Sequence, residues 1–193
     1  EVQSSGGDDN VRVQPTSASS ATVTQDGQPI VNVSNVVGGT FTVNTLAGTD
    51  DVTIDGSNAA DTFAATSALV TITGRLAVNL LGEESLALDG HDGNDIFNVT
   101  PAAIPIFVDG GDPIGLPGDI LNLIVAAGTN VLFNAGPEND SGSLTTNIAG
   151  TEPVSLDQIE RIGPIDGGGV GTATINGTNG ADAITIIARD ASF

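Results

Sequence analysis

The stretch Asp89-Gly90-His91-Asp92-Gly93-Asn94-Asp95-Ile96-Phe97-Asn98-Val99 governs how the rest of the chain is read. A turn rich in Gly, Asp and Asn ends at an Asp, and an alternating apolar run follows at once. Glycine supplies the positive-φ conformations of a tight turn, and Asp and Asn close turns through side-chain hydrogen bonds. Alternation of apolar and polar residues is the pattern of a strand with one buried face. Looser copies of the phrase begin at Gly6, Gly48, Asp55 and Asn176, running to Val13, Ile54, Phe63 and Ile184. Repetition of one turn-plus-strand unit is the signature of a repeat architecture.

Around these copies the chain alternates turn signals with short apolar runs rich in Val, Ile, Leu and Thr. Strands are expected at Val11–Val13, Ala21–Thr24, Ile30–Val33, Thr40–Asn44, Asp51–Ile54, Thr62–Ala65, Leu69–Thr73 and Leu76–Leu80. Further strands are expected at Ser85–Leu88, Ile96–Val99, Ile104–Val108, Ile120–Val125, Asn130–Phe133, Ser143–Thr146, Ala173–Ile175 and Ala183–Ile187. The best helical candidate, Val154–Ile162, is at most two turns long. The expected class is therefore all-β. Repetition favours a parallel β-solenoid or β-roll-like module, and strand spacing leaves an antiparallel β-sandwich as the alternative.

Three regions follow from the spacing. Residues 1–100 form a β-repeat region with two related multi-strand units, one running from Asp9 to Asp51 and the other from Asp61 to Asp95. Residues 101–170 are less regular, with long acidic turns at Asp109–Asp119 and Asn134–Gly142. Residues 171–193 read as the start of the next repeat or an assembly strand, because Asp182 and its neighbours match Asp9 and its neighbours at an offset of 173 positions. Asp166-Gly167-Gly168-Gly169 reads as the joint leading into that copy.

Composition narrows the function. Twenty-four acidic residues face four Arg and no Lys, for a formal net charge of −20. Phosphate binding needs clustered cations, so a nucleic-acid partner is excluded as an expectation. No apolar run is long enough to suggest membrane insertion. With no Cys, thiolate metal sites and disulfides are ruled out. With no Trp or Tyr, there is no aromatic platform for sugar stacking. Glu83 and Glu84 cannot flank a glycosidic bond if they lie side by side on a strand, since adjacent residues then point to opposite faces. His91, the one histidine, has no catalytic company and is expected to be a solvent-exposed turn residue. The chain is not expected to be an enzyme.

The phrase Gly90–Phe97 resembles the nonapeptide of RTX calcium-binding β-rolls, Gly-Gly-x-Gly-x-Asp-x-(large apolar)-x. Gly90, Gly93, Asp95 and Phe97 match its places, while His91 stands where the family has Gly. Gly177, Gly180, Asp182 and Ile184 match in the same way, and Gly56, Asp61 and Phe63 match in part. RTX repeats follow one another directly, whereas these copies are separated by longer segments, as in tandem-repeat bacterial surface and extracellular fibre proteins. The resemblance implies calcium held by Asp carboxylates and turn carbonyls between stacked turns, with the large apolar residue in the core.

Three groups of hard oxygen donors are candidate calcium ligands. The first is Asp89, Asp92, Asn94 and Asp95, four oxygen side chains within one turn. Asp109, Asp112 and Asp119 form the second, and Asp50 and Asp51 with Asp61 the third. The functional expectation is an extracellular, cell-surface structural module. It would build a fibre, stalk or matrix by head-to-tail strand association with copies of itself or adjacent tandem modules, reinforced by calcium. Surface polysaccharide is a further partner class. A carbohydrate- or ice-binding adhesin, suggested by the Thr-x-Thr triplets at Thr22, Thr40, Thr71 and Thr172, is the first alternative, and a β-helix polysaccharide-degrading enzyme the second.

Overall fold

The computed structural model of the chain describes residues 1–163, 165 and 173–177. Ala183–Ile187, the repeat copy at Asp182 and the joint at Asp166–Gly169 lie outside the described residues. So do the offset match and most of 171–193. The described residues form strands in two mixed sheets and contain no helix. Neither sheet closes into a barrel.

The first sheet has the order β1-β5-β9-β8-β7-β11-β13-β17. These strands are Val2–Gln3, Phe41–Asn44, Val78–Leu81, Leu69–Ile72, Thr62–Ala65, Ile96–Val99, Ile120–Leu123 and Arg161–Ile162, in that spatial order. The second has the order β18-β14-β15-β16-β12-β10-β6-β2-β3-β4. Its strands are Ala173–Asn176, Val131–Ala135, Gly142–Thr146, Val154–Asp157, Ile106–Asp109, Ser85–Asp89, Asp51–Asp55, Asn10–Ser17, Ser20–Gln25 and Val31–Val33. From β9 to β13 the chain changes sheet at every turn from β9 onward, taking β10, β11, β12 and β13 in alternation.

The centre of the second sheet is a parallel, in-register ladder. Val11, Val52, Leu86, Ile106 and Val154 form one row, and Val13, Ile54, Leu88, Val108 and Leu156 form the next. The first sheet repeats this with Phe63, Phe97, Leu121 and Ile162, and with Ala65, Val99 and Leu123. All members of these rows except Ile162 are buried, and they belong to one continuous hydrophobic cluster. Phe63 and Phe97 stack at 4.7 Å between ring centroids, the distance of neighbouring strands. An all-antiparallel sandwich therefore does not describe these sheets. Antiparallel pairing is confined to β2–β3–β4, β7–β8–β9 and β14–β15–β16.

Two sequence readings change. Val154–Ile162 is not a helix: Val154 and Leu156 take the next places in the buried rows, and Gln158 turns the chain with φ +52°. Burial of two alternating apolar residues outweighs the weak helical propensity of so short a segment. The unit expected from Asp9 to Asp51 is one residue shorter in register, because Asn10 pairs with Asp51 and Asp9 lies level with Asp50.

Candidate metal-binding site

Three ladders of acidic residues run across the strands. The first stands at the entrance to β7, β11, β13 and β17. There Asp61 donates its backbone N–H to Asp95 Oδ1, Asp95 to Asp119 Oδ1, and Asp119 to Glu160 Oε2, each at 2.6 Å. Asp95 and Asp119 have no exposed surface, and Asp61 is nearly as buried. The second ladder repeats this design at the entrance to β2, β6 and β10. Asp9 donates its N–H to Asp50 Oδ1 at 2.9 Å, and Asp50 donates to Glu84 Oε2 at 2.7 Å.

Both ladders begin in the same way. Asp9 accepts the N–H and hydroxyl of Ser5, and Asp61 accepts those of Ser57, four residues earlier in each case. Arg75 adds two contacts to Asp61 Oδ1, at 3.2 and 3.3 Å. Past these starts the compensation stops. Asp50 Oδ2, Asp95 Oδ2, Asp119 Oδ2 and Glu160 Oε1 are buried without a hydrogen-bond partner.

The third ladder closes β6, β10, β12 and β16, where Asp55, Asp89, Asp109 and Asp157 stand in register. Arg12 on β2 neutralises the first two. Its Nε donates to Asp55 Oδ2 at 2.6 Å, and a terminal nitrogen lies 2.6 Å from Asp55 Oδ1 and also pairs with Asp89. Burial raises the Asp55 carboxyl above the ordinary range, and Arg12 pulls against it. Burial also raises Asp109, with Asp89 and Asp157 adding to the effect, and Asp109 Oδ1 has no hydrogen-bond partner.

Beside this ladder lies an open depression of about 350 Å³. It is lined by Asn58, Asp89, His91, Asp92, Asp109, Gly111, Asp112 and Gln158. An isolated parallel bridge between Asp92 and Asp112 ties the two turns together. Gly93 N–H donates to Asp112 O at 2.7 Å, and Asp112 N–H donates to His91 O at 2.9 Å.

The ten residues expected to bind calcium thus separate. Asp89, Asp92, Asp109 and Asp112, from two different predicted groups, meet at the depression. Asp61, Asp95 and Asp119, from three different groups, meet in the interior ladder. Asp50 stands in the other buried ladder, away from its expected companions. Asp51 is exposed at the start of β6, where it accepts the Ser85 hydroxyl, and Asn94 is exposed.

His91 is not a plain exposed turn residue. Its side chain is 34% exposed, with Nε2 3.6 Å from Asp55 Oδ1 and Nδ1 3.5 Å from Asp89 Oδ1. Its φ of +68° suits the glycine that the nonapeptide pattern places there. Asp55, Asp89 and His91 each offer a ligand atom within 4.8 Å of one another, as do Glu138, Asp140 and Asp157. Arg12 already serves the carboxylates of the first group.

Sequence reading missed Glu84 and Glu160 as the ends of the first two ladders, Glu84 exposed and Glu160 half-buried. Glu83 and Glu84 lie in the bend between β9 and β10 rather than on a strand, and Glu84 reaches back to Asp50. The usable signal was an acid two residues before the first of two alternating apolar positions. It recurs at Asp9, Asp50, Asp61, Glu84, Asp95 and Asp119. The chain matches no family model, no curated protein and no solved structure.

Proposed function

We propose that the chain is an extracellular structural repeat module, a parallel β-solenoid unit that joins others head to tail in a fibre, stalk or matrix. The observation that carries this reading is the in-register parallel ladder β2–β6–β10–β12–β16, in a sheet whose edge strands among the described residues are β4 and β18. Following the pairings outward, β4 runs in the direction of β2, and β18 runs in the direction of β16. The edges β1 and β17 of the other sheet also run in one direction. A copy displaced along the stack would meet its neighbour in parallel pairing on both sheets. Such a head-to-tail contact does not close, so it extends a filament.

The β1–β4 end carries an apolar-lined hollow of about 470 Å³ that includes Val2, Val23, Ile30 and Val31. Ile30 is 63% exposed there, an apolar surface suited to a following copy.

Calcium is the reinforcing ion in this reading. A charge of −20 makes stacked copies repel, and divalent ions at the acidic turns reduce that repulsion. Asp89, Asp92, Asp109 and Asp112 would hold the ion, with amide oxygens of Asn58 and Gln158 beside them. The partnerless Asp109 Oδ1 and the all-oxygen donor set fit a hard cation that takes six to eight oxygens.

The ice-binding alternative needs a regular outward array of Thr. The outward row Arg12, Thr53, Ala87, Phe107, Ser155 holds a single Thr, and so does the row Thr62, Ile96, Ile120, Arg161, so neither forms such an array. Electron microscopy and light scattering, with calcium and then with chelator, test the proposal. Filaments that grow with protein concentration and shorten in chelator are expected. Monodisperse monomers under every condition would rule it out.

A further inference from the structure

We propose that the interior ladder is a proton-binding site: Asp95 and Asp119 are held as carboxylic acids, and losing those protons loosens the stack. The geometry leaves few other states. Each of the two carboxyls receives one backbone N–H, from the preceding rung, at 2.6 Å on Oδ1. The second oxygen of each has no partner, and both side chains have no exposed surface. Four acids on successive parallel strands repeat at about the strand spacing of 4.8 Å. Like charges so close in a dry interior cannot all be ionised unless something compensates them.

Among the described residues, no basic group faces Asp95 or Asp119. The charged and titratable groups facing Asp95 are Asp61 and Asp119, and those facing Asp119 are Asp95, Glu160 and Asp109. Every one is acidic. Arg75 reaches Asp61 at the start of the ladder. The free oxygens lie against glycine backbone. A methyl group on Gly90 would run into Asp95 Oδ2, and one on Gly110 would meet Asp119 Oδ2 at 2.6 Å.

The shifts agree in direction with the geometry. Burial pushes Asp95 up to about 7, with Asp119 and Asp61 adding and the Asp61 N–H opposing. Burial likewise pushes Asp119 up to about 6, with Glu160 and Asp109 adding and the Asp95 N–H opposing. An acid whose folded pKa exceeds its unfolded value binds protons more tightly when folded. The folded state is therefore favoured most below the unfolded value of 3.8, loses stability as pH rises, and levels off above about 7.

Two measurements on the full chain decide the matter. Carboxyl carbon NMR titration should show Asp95 with a midpoint between 6 and 7, roughly three units above an ordinary Asp. A midpoint near 4 overturns the proposal. Thermal unfolding in 0.5 M NaCl, which screens surface repulsion, should give a Tm about 5–10 °C higher at pH 5 than at pH 8. Asp95→Asn with Asp119→Asn, which removes both protons and charges, should flatten that slope and raise Tm at pH 8. A slope that vanishes in salt, or persists unchanged in the double variant, places the effect on the surface and overturns the proposal. Should the double variant fail to fold, the carboxyl titration of the unaltered chain still decides. Filament formation is read separately, so failure of the proton site leaves the assembly reading standing, and the reverse holds too.

Discussion

Two acid ladders run across the two sheets, one before β7, β11, β13 and β17 and the other at the ends of β6, β10, β12 and β16, yet their surroundings are opposite. In the interior, Asp61, Asp95, Asp119 and Glu160 take backbone N–H groups and face other acids. At the outer end of β6, β10, β12 and β16, Asp55, Asp89, Asp109 and Asp157 stand in equal register, but Arg12 bridges the first two, and Asp89 and Asp109 border an open depression. The chemistry that relieves repulsion must differ. Outside, a cation can reach the carboxylates, so that ladder responds to divalent ions and salt. Inside, Asp95 and Asp119 have no exposed surface, and the response proposed for that ladder is to pH. Gly90 stands between the two, immediately after Asp89 and against Asp95.

The core that separates the ladders gives the largest expected effect. Phe97 is fully buried and stacked on Phe63, one residue beyond Ile96 and two beyond Asp95. Phe97→Ala should cost about 3–5 kcal/mol in denaturant unfolding, with the inner ladder opened to water. Loss of the pH slope together with stability would confirm that a dry core maintains the raised Asp95 carboxyl. A stable variant that keeps the slope would detach the ladder from the core.

Gly90→Ala comes next. The added methyl would meet Asp95 Oδ2 and the Gly110 carbonyl, both packed in the interior. Overpacking of this kind costs about 1–3 kcal/mol, measured as a drop in denaturant midpoint. Gly115→Ala is the control, since nothing lies within 4 Å of a methyl there and its backbone, like that of Gly90, has no positive φ. A loss at Gly115 as large as at Gly90 would show that the collision is not the cause.

Much of this arrangement was legible in the sequence. The alternation at Val52–Ile54, Leu86–Leu88 and Phe97–Val99 marked strands, and the turn phrase around Asp89 marked the crossing from one sheet to the other. What could not be read was which acids would share a rung. Asp95 and Asp89 lie in one turn and were grouped together, but a strand start and a strand end face different surroundings. Sequence proximity therefore misled where register decides. Glu84 was read only as half of a carboxylate pair and Glu160 as part of a weak helical segment, because Asp in Gly-rich turns carries the stronger turn signal. A Glu with one more methylene reaches the same N–H from a differently shaped loop. Val154–Leu156 looked weakly helical because the rows that bury it come from distant segments.

Calcium sharpens the outer half of the comparison. If Asp89, Asp92, Asp109 and Asp112 hold an ion, calcium at one hundred times its Kd should stabilise the fold by about 2.7 kcal/mol. Differential scanning calorimetry of chelated and calcium-loaded protein measures this as a Tm increase. Asp92→Asn with Asp112→Asn should abolish the increase while leaving the pH slope of the inner ladder in place, since neither faces Asp95 or Asp119. An undiminished response to calcium in that variant would move the ion to another turn, with Glu138, Asp140 and Asp157 the next group to examine.

The smallest effect tests the two ladders most selectively. Arg12 is 46% exposed on its side chain, so its pairing with Asp55 and Asp89 is partly screened, and Arg12→Gln should cost only about 1 kcal/mol. Its diagnostic value lies in sign. Without the guanidinium, Asp55 and Asp89 repel each other and Asp109, and the outer ladder gains affinity for any cation that can replace the lost charge. The calcium-induced rise in Tm should therefore be larger in Arg12→Gln than in the unaltered chain. The carboxyl titration of Asp95 should not move, because Asp61 and Asp119, not Arg12, are the charges that face it. A shift of Asp95 in this variant would mean that the two ladders share one electrostatic environment, and the division into a cation-responsive exterior and a proton-responsive interior would collapse.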